Sequence, residues 1–485
     1  MVVMLVGCGQ HAAYVCASDS QCVLAGVQGA CEPDGHCAFP DSACAEGLRY
    51  EPNAGDGFGG QCVGEVDGGI GACGTMGNAC CATGPACGNN TFCDGGTCKQ
   101  CITEVALGVR HSCFLKYDGT VWCSGADDDG QLGNAATSTL PTATPVQVRD
   151  STTAPITDAT AIGAGQVNAC AIRAGGAPWC WGLNDGCTDG GQLGDGTTND
   201  SNAAVKVLRE DGMPFTNVAE IAGDYCQTCA RETGGALWCW GDRRSGSLGD
   251  GGAMSHAKAV PVRAAAGNMP VTNAAQLSLN GGHACYRTAT NEVWCWGSNF
   301  AGQIGDGSKT DRPNPVHVFD GIALASGRNH VCAIKADNSV WCWGAGFQGR
   351  LGNGLGDRDA GSALDQPTPA PVVTAVGGAA FAGAMSVAAG ASSCAILANK
   401  DLYCWGVNNY GQTGTGPGTY VPMPVLKADG TPLKNVARVV AQFNRTCAFT
   451  TDGGLYCFGR NSEGELGDGT FKNVGLATPV KLSCP

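Results

Sequence analysis

Charge is scarce in this 485-residue chain: only 14% of its residues are Asp, Glu, Lys or Arg. Lys and Arg total 28 against 42 Asp and Glu, for a net charge of −14. A chain this poor in bases has no basic face, which excludes nucleic acid as a partner. No apolar run approaches the length of a transmembrane helix. Catalytic signatures are missing too. There is no G-x-S-x-G elbow, no H-E-x-x-H, no phosphate-binding Gly-Lys-Ser/Thr loop and no dinucleotide fingerprint.

What is abundant is glycine, 77 residues, and cysteine, 31 residues. Glycine at this level with 43% apolar residues points to many short strands and turns, hence an all-β fold. A reducing compartment would leave so many thiols free and reactive, so the expected location is extracytoplasmic and oxidising. The alternative, a zinc-rich cytosolic protein, is disfavoured by the Cys spacings.

Residues 1–8 end in Leu5-Val6-Gly7-Cys8 after a short apolar run. This resembles the close of a bacterial lipoprotein signal peptide, which implies lipidation at Cys8 and a bacterial cell-surface location. A basic n-region is lacking, and the apolar run is short. The competing reading is one more structural Cys.

Residues 9–63 and 73–101 read as two small cysteine-rich modules, separated by a Gly-rich linker at 64–72. The first holds Cys16, Cys22, Cys31, Cys37, Cys44 and Cys62. The second holds Cys73, Cys80, Cys81, Cys87, Cys93 and Cys98. With few apolar residues, both modules need disulfides for stability, but spacing alone assigns no pairing. They read as a stalk.

Residues 102–485 repeat. Seven tetrapeptides of the form aromatic-Cys-x-Gly occur: Trp122–Gly125, Trp179–Gly182, Trp238–Gly241, Trp294–Gly297, Trp341–Gly344, Tyr403–Gly406 and Tyr456–Gly459. All 10 Trp of the chain lie inside them. A glycine turn such as Gly130-Gln131-Leu132-Gly133 follows each. Six of the seven then reach a Pro-Val pair, as at 261–262, where the Pro is expected to start a short strand.

Ten positions before each tetrapeptide Cys stands another: Cys113/Cys123, Cys170/Cys180, Cys229/Cys239, Cys285/Cys295, Cys332/Cys342, Cys394/Cys404 and Cys447/Cys457. A turn such as Lys116-Tyr117-Asp118-Gly119 lies between them, a hairpin signal. In a hairpin centred on residue 118, positions 113 and 123 face each other, so each pair is expected to form a cross-strand disulfide.

This repeat resembles the family named for the regulator of chromosome condensation, through the order Asp-Gly turn, Val-Trp-x-x-Gly, then Gly-Gln-Leu-Gly. The resemblance implies a seven-bladed β-propeller with four strands per blade. The Cys pairs depart from the nuclear members and look like those of secreted bacterial ones. The guanine-nucleotide exchange role of eukaryotic members is therefore not carried over.

Setting aside Cys8, the modules and the hairpin pairs leaves Cys101, Cys187, Cys226 and Cys484. Cys187 and Cys226 fall in adjacent blades and are expected to bridge them. Cys101 and Cys484 flank the repeats and are expected to lock the ring.

His111, His283 and His330 occupy equivalent places and read as packing. The Asp195-, Asp250-, Asp306- and Asp468-Gly pairs read as turns. Asp127-Asp128-Asp129 and Gly356–Asp359 read as solvated loops before Ca²⁺ sites. No catalytic residue, cofactor or metal is expected. The function expected is a monomeric binding scaffold for a protein or an envelope glycan, touching membrane only through a lipid anchor. A propeller glycosidase is the enzymatic alternative.

Overall fold

The structure is a computed structural model. It describes residues 97–136, 140–265, 267–356, 361–416 and 418–480, with short strand segments between residues 23 and 94. Two compact units separate at Gln100, Met1–Gln100 and Cys101–Pro485. In the first, backbone register sets Cys31 opposite Cys37 and Cys93 opposite Cys98. The Cys8 and Cys484 expectations lie outside the described residues, as does most of 356–359.

The second unit is seven four-stranded antiparallel meanders, each made of contiguous sequence. Blade one uses Ile102–Leu107, His111–Lys116, Val121–Gly125 and Thr142–Gln147. Blade seven uses Val436–Gln442, Arg445–Thr450, Leu455–Gly459 and Val474–Pro479. The innermost strands of the blades surround an axial cavity of about 280 Å³.

The hairpin between second and third strands is the same device in every blade. In blade one, Gly119 N–H donates to Lys116 O, and Gly119 takes φ 77°. This is the three-residue loop in which a left-handed residue closes a type I turn. Asn291, Asn338 and Lys400 fill that left-handed place in blades four, five and six.

The tetrapeptide has a mechanical reading. Its Gly interrupts the register with the fourth strand, as between Cys123 and Gly125. Gly125 adopts φ 117°, and a Cβ there would lie 2.3 Å from Arg110 O. Only glycine fits such a bulge. The aromatic before that Gly reaches the preceding blade. Trp181, Trp240, Trp296, Trp343 and Trp405 are fully buried. Their indole N–H groups donate to the carbonyls of Gln131, Gln192, Ser247, Gln303 and Arg350, at 2.8–3.1 Å. Each ring lies on the second Gly of the preceding blade's Gly-x-Leu-Gly turn. A Cβ on Gly133 would meet Trp181 Cδ1 at 2.6 Å. The two halves of the repeat motif therefore belong to one interface between blades.

The prolines behave differently from the expectation. Pro261, Pro371, Pro424 and Pro479 end the fourth strand; they do not begin one. That strand is the outer edge of its sheet, where a residue without an N–H costs no ladder bond.

Candidate binding face and its pockets

Each blade carries a disulfide across its central hairpin, with Cα atoms 4.0–4.1 Å apart. The bonded pairs are Cys113–Cys123, Cys170–Cys180, Cys229–Cys239, Cys285–Cys295, Cys332–Cys342, Cys394–Cys404 and Cys447–Cys457. Lys116 N–H donates to Thr120 O, which puts 113 and 123 at a non-hydrogen-bonded pair, the closer register. Cys187 and Cys226 are also bonded, across 5.7 Å between Cα atoms, tying blade two to blade three. Cys101 is buried and disulfide-bonded. Cys187, Cys226 and Asp242 group closely. Both sulfurs of that group are in the disulfide and are not available as thiolate ligands.

Because strands alternate in direction, the loops joining first to second and third to fourth strands share one end of the ring. This face carries the longest loops, from 407–418 in blade six to 345–365 in blade five. The opposite face carries the uniform hairpin turns and the connectors between blades, such as 372–383. Loops of varied length on a rigid frame are the usual place of recognition.

The acidic loops on that face are built into turns. Asp127 Oδ1 accepts Leu132 N–H, and Asp128 pairs with Arg110 and Gln131. Burial pushes the Asp127 carboxyl up to about 6. Asp195, Asp306 and Asp468 accept N–H and hydroxyl bonds from the residue two ahead, and amide bonds from buried Asn184, Asn299 and Asn461. Those Asn were not recognised from sequence. Their signal was recurrence two places after the tetrapeptide Gly, which also marks Asn408.

His111, His283 and His330 start the second strand of their blades and are fully buried. Asn168, Gln227, Ser392 and Arg445 fill the same place in the other blades, forming a polar belt between neighbours. His330 Nε2 lies 2.7 Å from Ser393 Oγ in the next blade. Burial lowers His111 to about 3 and His283 to about 4, so both are neutral.

Two further pockets stand out. The larger, about 670 Å³, lies at the rim of blade three and includes Arg209, Glu210, Trp238, Asp250 and His256. Several of its charged side chains lie beside one another. His256 Nδ1 is 2.8 Å from Glu210, and its Nε2 is 3.4 Å from Asp250. Arg209 pairs with Asp211 and lies 3.9 Å over the Trp238 ring. No serine or cysteine lines this pocket.

The smaller, about 240 Å³, opens on the loop-bearing face between blades three and four. Asp224, Gln227 and Asp242 line it, all nearly inaccessible, with Tyr225 and Arg244 also among its lining residues. Asp224 Oδ2 accepts the Gly282 N–H of blade four. Burial, opposed by these N–H donors, raises the Asp224 carboxyl. Neither amide atom of Gln227 has a partner, and Asp242 Oδ2 accepts no hydrogen bond.

Comparison with known proteins agrees with this architecture. A family model described as Regulator of chromosome condensation (RCC1) repeat matches residues 102–131, 274–303, 322–350, 386–412 and 436–465. A second model of the same description matches 290–334. The chain is 26% identical to the Ultraviolet-B receptor UVR8 of Arabidopsis thaliana over 341 residues, 69% of this chain and 72% of the receptor. It is 27% identical to the E3 ubiquitin-protein ligase HERC2 of Mus musculus over 365 residues, 73% of this chain but 7% of the ligase. Among solved structures, Prp20p of Saccharomyces cerevisiae aligns with TM-score 0.59 at 21% identity, covering 76% of this chain and 87% of that one. Human WBSCR16 gives TM-score 0.59 at 17% identity, over 75% and 93%. These structural likenesses concern the fold.

Proposed function

From a chain that is a seven-bladed propeller built of regulator of chromosome condensation repeats, we propose a disulfide-stapled protein-binding scaffold of an oxidising compartment, displayed at a cell surface. The observation that carries this reading is the placement of the bridges. Every blade is stapled across its hairpin, and the one additional bridge with both partners described fixes two loops of the face with the longest loops. No set of nucleophile, base and oxyanion donors assembles among the described residues. A protein partner is favoured over a glycan because the structure reported for Prp20p concerns its binding to Gsp1p and histones.

Photo-crosslinking tests the reading. Tyr225 on the loop-bearing face is 41% exposed, and Tyr117 on the hairpin face is 42% exposed. A crosslinking residue at 225 captures a defined protein while the same residue at 117 does not. Equal capture at both, or none at 225, overturns the assignment of the face. Thiol alkylation of the protein in its own cells, without prior reduction, tests the compartment. Extensive labelling of the hairpin cysteines overturns it.

A second reading, glycan hydrolysis at the rim pocket of blade three, is motivated by the Arg209, Glu210 and Asp250 cluster. Turnover of an envelope glycan by the wild type, lost in Glu210→Gln, would replace the scaffold reading.

A further inference from the structure

Seven copies of one repeat provide six internal controls for each position. The second residue of the Gly-x-Leu-Gly turn is Gln131, Gln192, Gln303, Gln412, Arg350 or Glu465 in six blades, always buried. In blade three it is Ser247. The long side chain braces its own loop and, in blade six, reaches the next blade. Gln303 Oε1 accepts Ala301 N–H, and its Nε2 reaches Ser298 Oγ at 3.4 Å. Gln412 Nε2 reaches Asn444 in blade seven at 3.5 Å. Ser247 cannot reach so far, and its hydroxyl turns back to Asp242 O at 2.8 Å.

The pocket of about 240 Å³ occupies the space that this truncation leaves. Blade three also alters the residue that follows the tetrapeptide Gly. Elsewhere it is Ala126, Leu183, Ser298, Ala345, Val407 or Arg460; here it is Asp242. The substitution puts a carboxylate, 1% exposed, at the pocket wall. Gln227, 2% exposed, lines the same pocket with both amide atoms unpartnered. A buried amide without partners is costly, and a second buried carboxyl, Asp224, lines the same pocket. Arg244 Nε lies 3.4 Å from Asp242 but is held outward by Thr188, to whose Oγ1 its Nη2 donates at 2.7 Å. Asp242 Oδ2 therefore has a cation nearby but accepts no hydrogen bond.

We infer that this pocket receives the cationic head group of a partner's arginine or lysine, with Asp242 and Gln227 as its acceptors and the Tyr225 ring at the mouth. The inference rests on the protein-binding reading and names the chemistry of its contact. The volume is below that of pockets for drug-sized ligands and fits one inserted side chain. A guanidinium offers five donors in a planar fork to the carboxylate and amide oxygens. A hard divalent cation would need six or more oxygens.

The test is a titration of the whole protein, followed by NMR, with N-acetyl-arginine-N-methylamide, with its lysine counterpart, with CaCl₂ and with N-acetylglucosamine. The expected result is saturable binding of a cationic probe, weakened at least tenfold in Asp242→Asn and in Ser247→Gln. Ser247→Gln restores the residue that four other blades carry, so the fold accommodates it. Unchanged binding of the probe to Ser247→Gln overturns the inference. So does binding of Ca²⁺ or the sugar without binding of either cationic probe, or no binding at all. Crosslinking through position 225 separates the two readings: if capture persists in Ser247→Gln while no cationic probe binds the wild type, the scaffold stands and this pocket assignment falls.

Discussion

Arg445 and Glu465 form an ion pair, Nη1 to Oε1 3.3 Å, with both side chains out of solvent. Arg445 also donates to Gly108 O and His111 O of blade one, the latter at 2.8 Å. Blade seven thus meets blade one through a buried cation. Burial lowers Arg445 to about 10 despite the carboxylate.

Removing half of such a pair leaves a buried charge uncompensated, at about 3–5 kcal/mol. Glu465→Gln is therefore strongly destabilising in denaturant unfolding, although Gln is the common residue there. The double change Arg445→His and Glu465→Gln reproduces the pairs His111 with Gln131 and His283 with Gln303. It is expected to recover most of the loss. A double variant no more stable than Glu465→Gln alone would refute this account of the seam.

The neutral imidazoles of the belt make stability depend on pH. His283 is held at about 4, against an ordinary 6.5. The unfolded chain takes up a proton that the folded one refuses. The contribution is complete above pH 6.5 and is lost as pH falls toward 4, by up to about 3 kcal/mol. Asp127, raised to about 6, carries the opposite sign below pH 6. His283→Asn, which copies Asn168, is expected to flatten the decline between pH 6.5 and 4 measured from urea midpoints. Parallel curves for variant and wild type would disprove it.

Lys400 stands at φ 65°, where blades one and seven use Gly119 and Gly453. A left-handed residue with a side chain carries a cost on the order of 1 kcal/mol. Lys400→Gly is expected to raise stability by up to about 1 kcal/mol in thermal unfolding. A drop in melting temperature would mean that the Lys side chain contributes contacts that outweigh the backbone.

The bridge between blades two and three should act locally. Replacing Cys187 and Cys226 with Ser is expected to speed hydrogen exchange at 183–190 and 224–228 and leave blades five to seven unchanged. Replacing Cys394 and Cys404 in blade six removes a short closed loop and costs about 3 kcal/mol in the loop-entropy model. If the first pair destabilised every blade equally, the assignment of a local role would fail.

The propeller could be read from the chain because its repeat carries backbone chemistry. Asp118-Gly119 marks a turn, Gly125 a bulge, and paired Cys a cross-strand register. The meaning of Trp181 with Gly133 was hidden, because the two lie far apart in sequence and meet only across a blade junction. The Pro261 error has a similar origin. An edge strand and a strand start tolerate proline for the same reason, and sequence alone does not say which applies. The pocket at Ser247 was invisible for a different reason. A missing side chain is noticed only once its six counterparts are seen to fill the same space. The fate of the turn aspartates, by contrast, followed from the Gly after each of them.

Every blade takes its four strands from one contiguous stretch, and the seam between blades seven and one is closed by Arg445 and a turn bond from Gly469 N–H to Ala143 O, without a shared strand. The ring therefore has no obligatory first blade. A circular permutant joined across that seam and reopened in the connector 372–383 keeps each sheet whole, so the order in which blades are synthesised is separable from the order in which they stand.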